Sequence, residues 1–206
     1  MRNRDYKQFG PGEYFHIYNR GNRKGVIFLD DEDYGFFILR LRQNLFPDKK
    51  MNPRAALLPD DSFSLVSYCL MPNHFHFLIR QNKDLPTSRL LLRICTSYSM
   101  FFNKKYNKVG HLFQDRFKQI FIKDTTYLTW LSAYIHQNPM IAGLVKNPAE
   151  FMWSSYTDFI GLRDDNLCRK NIILDQFGSI NDYREFVESS YNIIKRKKGI
   201  EDFILD

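Results

Sequence analysis

Residues 67–80 read SYCLMPNHFHFLIR. Pro72 and Asn73 give a turn signal between two runs, FSLVSYCLM (63–71) and HFHFLIR (74–80), so the stretch predicts a β-hairpin. Strand residues two apart point to the same face. His74 and His76 therefore project together, while Phe75 and Phe77 point the other way and Phe75 anchors the strand to the core. Two such imidazoles stand roughly 7 Å apart, a gap that one divalent ion at ~2.1 Å from each nitrogen can bridge. The other reading is a pair of hydrogen-bonded sheet residues. The pair alone does not choose between them.

The segments on either side complete a pattern. EYFHIYNRG (13–21) alternates and ends in glycine, as a strand does. DDEDYGFFILRLRQNLF (30–46) opens with acids suited to a helix N-terminus and places Phe36, Phe37, Leu39, Leu41 and Leu45 along a helical stripe. FPDKKMNPRAALLPDD (46–61) reads as a loop. After the hairpin, a long helix starts at Pro86 and runs to Tyr106, followed by polar turn residues 107–110 and a strand in DRFKQIFIK (115–123). Asp124 and Thr125 suit an N-cap for the helix TYLTWLSAYIHQN (126–138), which Pro139 is expected to stop. Strand, helix, strand, strand, helix, strand is the split βαβ order of a ferredoxin-like α+β domain, an antiparallel sheet with helices on one face. The domain is expected over residues 1–160. Residues 161–206 form a helical extension, in which NDYREFVESSYNIIKR places Phe186, Val187 and Tyr191 on one side.

Composition narrows the partners. The chain has 206 residues, 44% of them hydrophobic and 26% charged, ordinary values for a soluble globular protein. Aromatics reach 16%, enough for a Phe-rich core or for rings that stack on bases. The net charge of +7 is gathered in three groups: Arg2, Arg4, Lys7, Arg20, Arg23 and Lys24; then Lys104, Lys105, Lys108, Arg116, Lys118 and Lys123; then Lys195 to Lys198. Clustered positive charge suits either a polyanion or a solvated face. Three cysteines without CxxC spacing fit neither a disulfide framework nor a cysteine zinc site. No signal-peptide core and no membrane-length apolar run is present, so a cytoplasmic, nucleoid-associated protein is expected.

A second chemical element lies in YIHQNP (134–139). Tyr134 and Asn138 are four apart on the expected helix, on one face, so a phenol and an amide could serve one site. A cation held by two histidines and an amide would draw charge from a phosphodiester while a tyrosine attacks phosphorus. A free phenol ionises near pH 10, so that nucleophile needs activation.

Taken together, MPNHFHFLIR, GHLFQDRFKQIFI, YLTWLSAYIHQNPMIAGLV and WSSY, in this order, resemble the single-tyrosine HUH transposases, especially the REP-associated tyrosine transposase branch. The likeness covers roughly residues 13–160. It implies that His74 and His76 bind a divalent ion, Mg²⁺ or Mn²⁺, that Asn138 joins them and that Tyr134 is the nucleophile. It implies cleavage and rejoining of single-stranded DNA near hairpins, with a 5′-phosphotyrosine and a free 3′-hydroxyl. It leaves monomer and homodimer both open.

Basic residues near such a site would position DNA. Arg116 is read as a phosphate contact at a strand start, Arg20, Arg23 and Lys24 as hairpin contacts, and His111 as a phosphate contact or a second-choice third ligand. His136 is read as structural or DNA-contacting, and His16 as a plain sheet residue. Two rivals stand beside the transposase reading. One is a single-stranded nucleic-acid-binding protein that leaves the chemistry unused. The other is a zinc hydrolase built on His74, His76 and His111.

Overall fold

Alternating apolar residues lay down four strands, and the register between them sets what the site can hold. In the computed structural model, residues 10–48 and 57–204 are described, with side chains up to 196. Arg2, Arg4, Lys7 and the 49–56 part of the expected loop lie outside the described residues, as do the Lys197 and Lys198 side chains. The strands are β1 (Tyr14–Arg20), β2 (Phe63–Met71), β3 (His74–Gln81) and β4 (Lys118–Ile122). They form one sheet in the order β2-β3-β1-β4, every neighbouring pair antiparallel. That is the split βαβ topology expected from the element order.

Helices α1 (Asp31–Leu45) and α2 (Thr87–Lys105) cover the face to which Phe15, Ile17, Phe75, Phe77 and Ile79 point. Each of these side chains is fully buried, and burying a Phe or Ile is worth ~1.5–3 kcal/mol. The buried stripe of α1 is Tyr34, Phe37, Leu41 and Leu45, at helical spacing. Leu39, expected on that stripe, is instead 47% exposed.

The expected layer of helices on one face is thus present, and a further layer covers the opposite face. It is built by α3 (Thr125–Ile141) and α6 (Ile180–Ile204), whose core includes Leu128, Leu131, Ile135, Tyr183, Val187 and Ile194. Asp124 caps α3 by accepting from the backbone amides of Thr126 and Tyr127. Contrary to expectation, Pro139 does not stop the helix, which continues to Ile141. A proline near the last turn forfeits one backbone bond, and the end is closed by the Ala142 amide donating to the Asn138 carbonyl. Along α6 the buried positions are Tyr183, Val187, Ser190 and Ile194, with Phe186 and Tyr191 at the margin of the stripe.

Later segments cover the outer edge of β2. Leu70 N donates to the Trp153 carbonyl, Ser155 N to that of Tyr68 and Arg169 N to that of Leu65. This removes one unpaired sheet edge. Arg163 donates to the Asp158 carboxylate, to the carbonyls of Met152 and Ser154 and to the Tyr68 hydroxyl. The short helices α4 (Tyr156–Phe159) and α5 (Asn171–Leu174) lie between these contacts and α6.

At the opposite end of the strands, the loop after β1 meets the β2–β3 turn and the loop before β4. Gly21 N donates to Asn73 O, Asn22 N to Leu112 O and Gln114 N to Arg20 O. A Cβ on Gly21 would sit 2.0 Å from the Gly25 carbonyl oxygen and 2.8 Å from Ile27 Cγ2. Backbone cannot yield as a side-chain tip can. Gly21→Ala is therefore expected to cost about 1–3 kcal/mol of overpacking strain, read as a lower urea midpoint.

Candidate active site

Strand pleating puts Tyr14, His16, Tyr18 and Arg20 of β1 on the same face as His74 and His76 of β3. Register pairs Tyr18 with His76 and Arg20 with His74. The two histidine rings are 5.0 Å apart between centroids, edge to face. His76 is buried at 6% exposure and His74 is half-buried. Helix α3 lies over this face and brings the half-buried Tyr134 ring edge-on to His76 at 5.6 Å and to His16 at 6.1 Å. The helix tyrosine thus meets His76, fifty-eight residues away in sequence.

Asn138 lies one turn beyond Tyr134 and is fully buried. Its amide nitrogen donates to the Tyr134 carbonyl at 3.0 Å. With the nitrogen committed to the helix, the oxygen is the atom of this amide that could ligate a cation.

His16, read from sequence as a plain sheet residue, belongs to the site. Its Nε2 is 2.9 Å from His76 Nδ1, and its ring lies 5.0 Å from that of Tyr18. Burial pushes the His16 imidazole down to about 4, so it is neutral at pH 7. Tyr18 stacks on His76 at 5.7 Å, with the Lys118 ammonium 5.8 Å from the Tyr18 ring centroid. No signal along a single strand announces this cluster. It appears only once β1 and β3 are set in register.

His136, two residues on along the helix, points away from Tyr134. It is fully buried between the Tyr183 hydroxyl at 2.7 Å and the Ser155 hydroxyl at 2.8 Å, which settles its role as structural. Burial pushes its pKa down to about 3. An unfolded histidine takes up its proton near pH 6.5, so between the two values the unfolded chain binds a proton that the folded chain refuses. Stability is then full above pH 6.5 and falls as the pH drops toward 3. The groups facing this ring, Tyr183, Ser155, Tyr156 and Phe159, carry no charge in that window. In urea unfolding across a pH series, His136 is expected to account for a loss of roughly 3 kcal/mol between pH 6.5 and 4. His136→Gln should remove that share of the slope and leave the share of His16, whose imidazole burial also holds low.

The basic residues distribute unevenly. Arg20 lies beside His74 in register, its Nε donating to Gln114 Oε1 at 2.6 Å. Arg23 and Lys24 are exposed on a turn held in left-handed backbone, with φ of 54° and 59°. Arg116 is exposed but sits in the loop ahead of β4 rather than at the strand start, since the strand begins at Lys118. It makes no ion pair among the described residues. Asp115, its neighbour, is held instead through its carbonyl by Asn19 Nδ2. His111 is exposed in the loop facing Asn22 and lines a surface groove of about 240 Å³ with Lys108 and Asn103. The structure does not bring His111 to the histidine pair. Among the described residues, no three His, Cys, Asp or Glu side chains are placed to share an ion.

Known proteins carry a similar stretch. The family profile "Transposase IS200 like" matches residues 51–138, a span that carries His74, His76, Tyr134 and Asn138. No curated protein sequence matches the chain. Among solved structures, a REP-associated tyrosine transposase bound to a REP hairpin superposes with a TM-score of 0.58 at 18% identity, over 87% of this chain and 93% of that one. A candidate transposase from Deinococcus radiodurans R1 aligns more loosely, with a TM-score of 0.39 at 12% identity over 64% of this chain and 92% of that one. The first likeness shows a shared fold. The profile match falls on the site residues themselves, so this stretch of the chain is similar to the IS200-like transposases.

Proposed function

We propose that this chain cleaves and rejoins single-stranded DNA beside a hairpin, with Tyr134 as nucleophile and a divalent cation, Mg²⁺ or Mn²⁺, held by His74, His76 and Asn138. The observation that carries the reading is the Tyr134 ring edge-on to His76 at 5.6 Å, across the seam between α3 and β3. The donor set fits such an ion: two imidazoles on one face and an amide oxygen suit a borderline-to-hard divalent cation and offer no thiolate. When bound, the cation would withdraw charge from the scissile phosphate.

The chain's own residues do the rest. Tyr134 Oη attacks phosphorus and forms the new ester as the P–O3′ bond breaks. The phenolic proton leaves to solvent, and the departing 3′ oxygen takes one up as a hydroxyl. The 5′ phosphate stays on Tyr134. Attack by a 3′-hydroxyl on that phosphotyrosine reverses the step, joins the strand and returns the phenol, with no nucleotide energy source needed. Arg20, adjacent to His74, supports a phosphate contact next to the cut. Arg23, Lys24, Arg116 and His111 lie on loops at the same end of the sheet and would hold the hairpin backbone. A solved structure of this fold is described as bound to a REP hairpin, which supports hairpin DNA as the partner. Among the described residues no helix is long and apolar enough to cross a membrane.

The test is to incubate the full chain with end-labelled, hairpin-bearing single-stranded DNA and Mn²⁺, then run a denaturing gel. A covalent adduct that chelator prevents is the expected result. Tight binding with no adduct would instead favour a nucleic-acid-binding protein that leaves the chemistry unused.

A further inference from the structure

Two hydrogen bonds reach the histidine pair from outside, on different elements. Asn73 Oδ1 lies 2.6 Å from His74 Nδ1, while the other end of the same amide, Nδ2, donates to the Lys24 carbonyl at 3.2 Å. That second bond decides which end of the amide meets the ring. A carbonyl cannot accept from an oxygen, so the nitrogen faces Lys24 and the oxygen faces His74. An amide oxygen only accepts, so His74 Nδ1 carries the proton. At the neighbouring ring, His76 Nδ1 lies 2.9 Å from His16 Nε2.

We propose that Asn73 and His16 are positioning residues that hold His74 and His76 as Nδ1–H tautomers, and so assign Nε2 of each ring as the cation-binding atom. The cation half of this rests on the function proposed above. The His74 tautomer does not, whereas the His76 tautomer does, since either ring of the His16–His76 contact can supply its proton.

Neutral imidazole has one ring nitrogen with a proton and one with a lone pair, so a partner that accepts at one nitrogen presents the other to a cation. The same partner fixes the ring's rotation, which matters for a site built on few ligands. Both partners here are themselves restrained. Asn73 is tied into the loop cluster, its carbonyl accepting from Gly21 N while its amide grips Lys24. His16 is buried, with the Tyr18 ring at 5.0 Å and the edge-on Tyr134 ring at 6.1 Å. Because His16 touches both the His76 and Tyr134 rings, it sets the spacing between the cation and the nucleophile.

The experiment combines long-range ¹H–¹⁵N spectra of the imidazoles in metal-free protein with Mn²⁺ titration by calorimetry. The parent is expected to show His74 and His76 each as the Nδ1–H tautomer. His16→Leu removes the acceptor, and should erase that signature for His76 alone and weaken Mn²⁺ binding by about 10–100-fold. His16→Gln places a carbonyl oxygen near the former Nε2 and should restore most of both. Asn73→Ala should do to His74 what His16→Leu does to His76, and Asn73→Asp, which keeps an acceptor, should recover it. Thermal melts identify any variant that fails to fold, and the paired conservative variants then carry the comparison. Finding His76 as the Nε2–H tautomer in the parent overturns the inference whatever the metal does. So does a folded His16→Leu with unchanged His76 signals and unchanged Mn²⁺ affinity. A parent that shows both tautomers yet binds no Mn²⁺ supports the assignment and sinks the cation-site reading instead.

Discussion

Tyr134→Phe is expected to lose covalent capture of labelled DNA by about 10³-fold or more, the scale seen when a covalent nucleophile is removed. Hairpin affinity and thermal midpoint should stay near those of the parent. The change removes one oxygen from a half-buried ring whose edge-on contacts with His16 and His76 survive in phenylalanine. Three other tyrosine hydroxyls are held well away from the histidine cluster. Tyr98 donates to the Ile27 carbonyl, Tyr106 hydrogen-bonds Asp30 and Asp33, and Tyr183 holds Ser132 and His136. Tyr127 lies two turns earlier on α3, ~10 Å along the axis. The rival that geometry leaves is Tyr18, stacked on His76 at 5.7 Å. An adduct that persists in Tyr134→Phe and disappears in Tyr18→Phe would move the nucleophile from the helix to the sheet.

Phe75→Ala should destabilise the fold by about 3–5 kcal/mol, the range for emptying an aromatic site in a packed core. Phe75 is fully buried between His74 and His76 in sequence, on the opposite face of β3. Its ring lies 4.6 Å from Phe77, 5.4 Å from Phe37 and 6.0 Å from Phe113. Against a typical domain stability of ~5–15 kcal/mol, such a loss leaves little reserve. Urea unfolding monitored by circular dichroism gives the value directly. A cost below about 1 kcal/mol would mean that the α1–α2 layer does not hold this strand in place.

The order of strands and helices was readable because their periods differ and because the 72–73 turn is unmistakable between its flanking runs. His74, His76 and Tyr134 were readable as residue types in suggestive positions, and the family resemblance supplied the rest. The His16 and Asn73 contacts were not. Residue 16 meets residue 76 only through strand register, which no local pattern encodes, and an asparagine in a turn looks the same whether or not its side chain grips a histidine. The second helical layer was hinted at by α3 itself. Leu128, Thr129, Leu131, Ser132, Ala133, Ile135, His136, Gln137 and Asn138 are all buried, nearly the whole circumference, as befits a helix enclosed on more than one side. Reading α3 only for its tyrosine and amide hid that. The start of β4 was placed too early because Asp115 and Arg116 carry no alternation to mark where pairing begins.

The apolar contact between α3 and α6 has hydrogen bonds set into it, and that has an angular meaning. Each residue turns a helix by about 100°, so Ser132 and His136, two positions before and after Tyr134, face away from it. Both are hydrogen-bonded to the single Tyr183 hydroxyl, at 3.1 and 2.7 Å. Apolar faces permit a helix to roll by small increments, whereas these bonds hold at one azimuth only. Rolling α3 by a single residue would swing the Tyr134 phenol a quarter-turn or more off the histidines. Tyr183 therefore acts as an indexing pin, by which α6 fixes the compass bearing of the Tyr134 phenol.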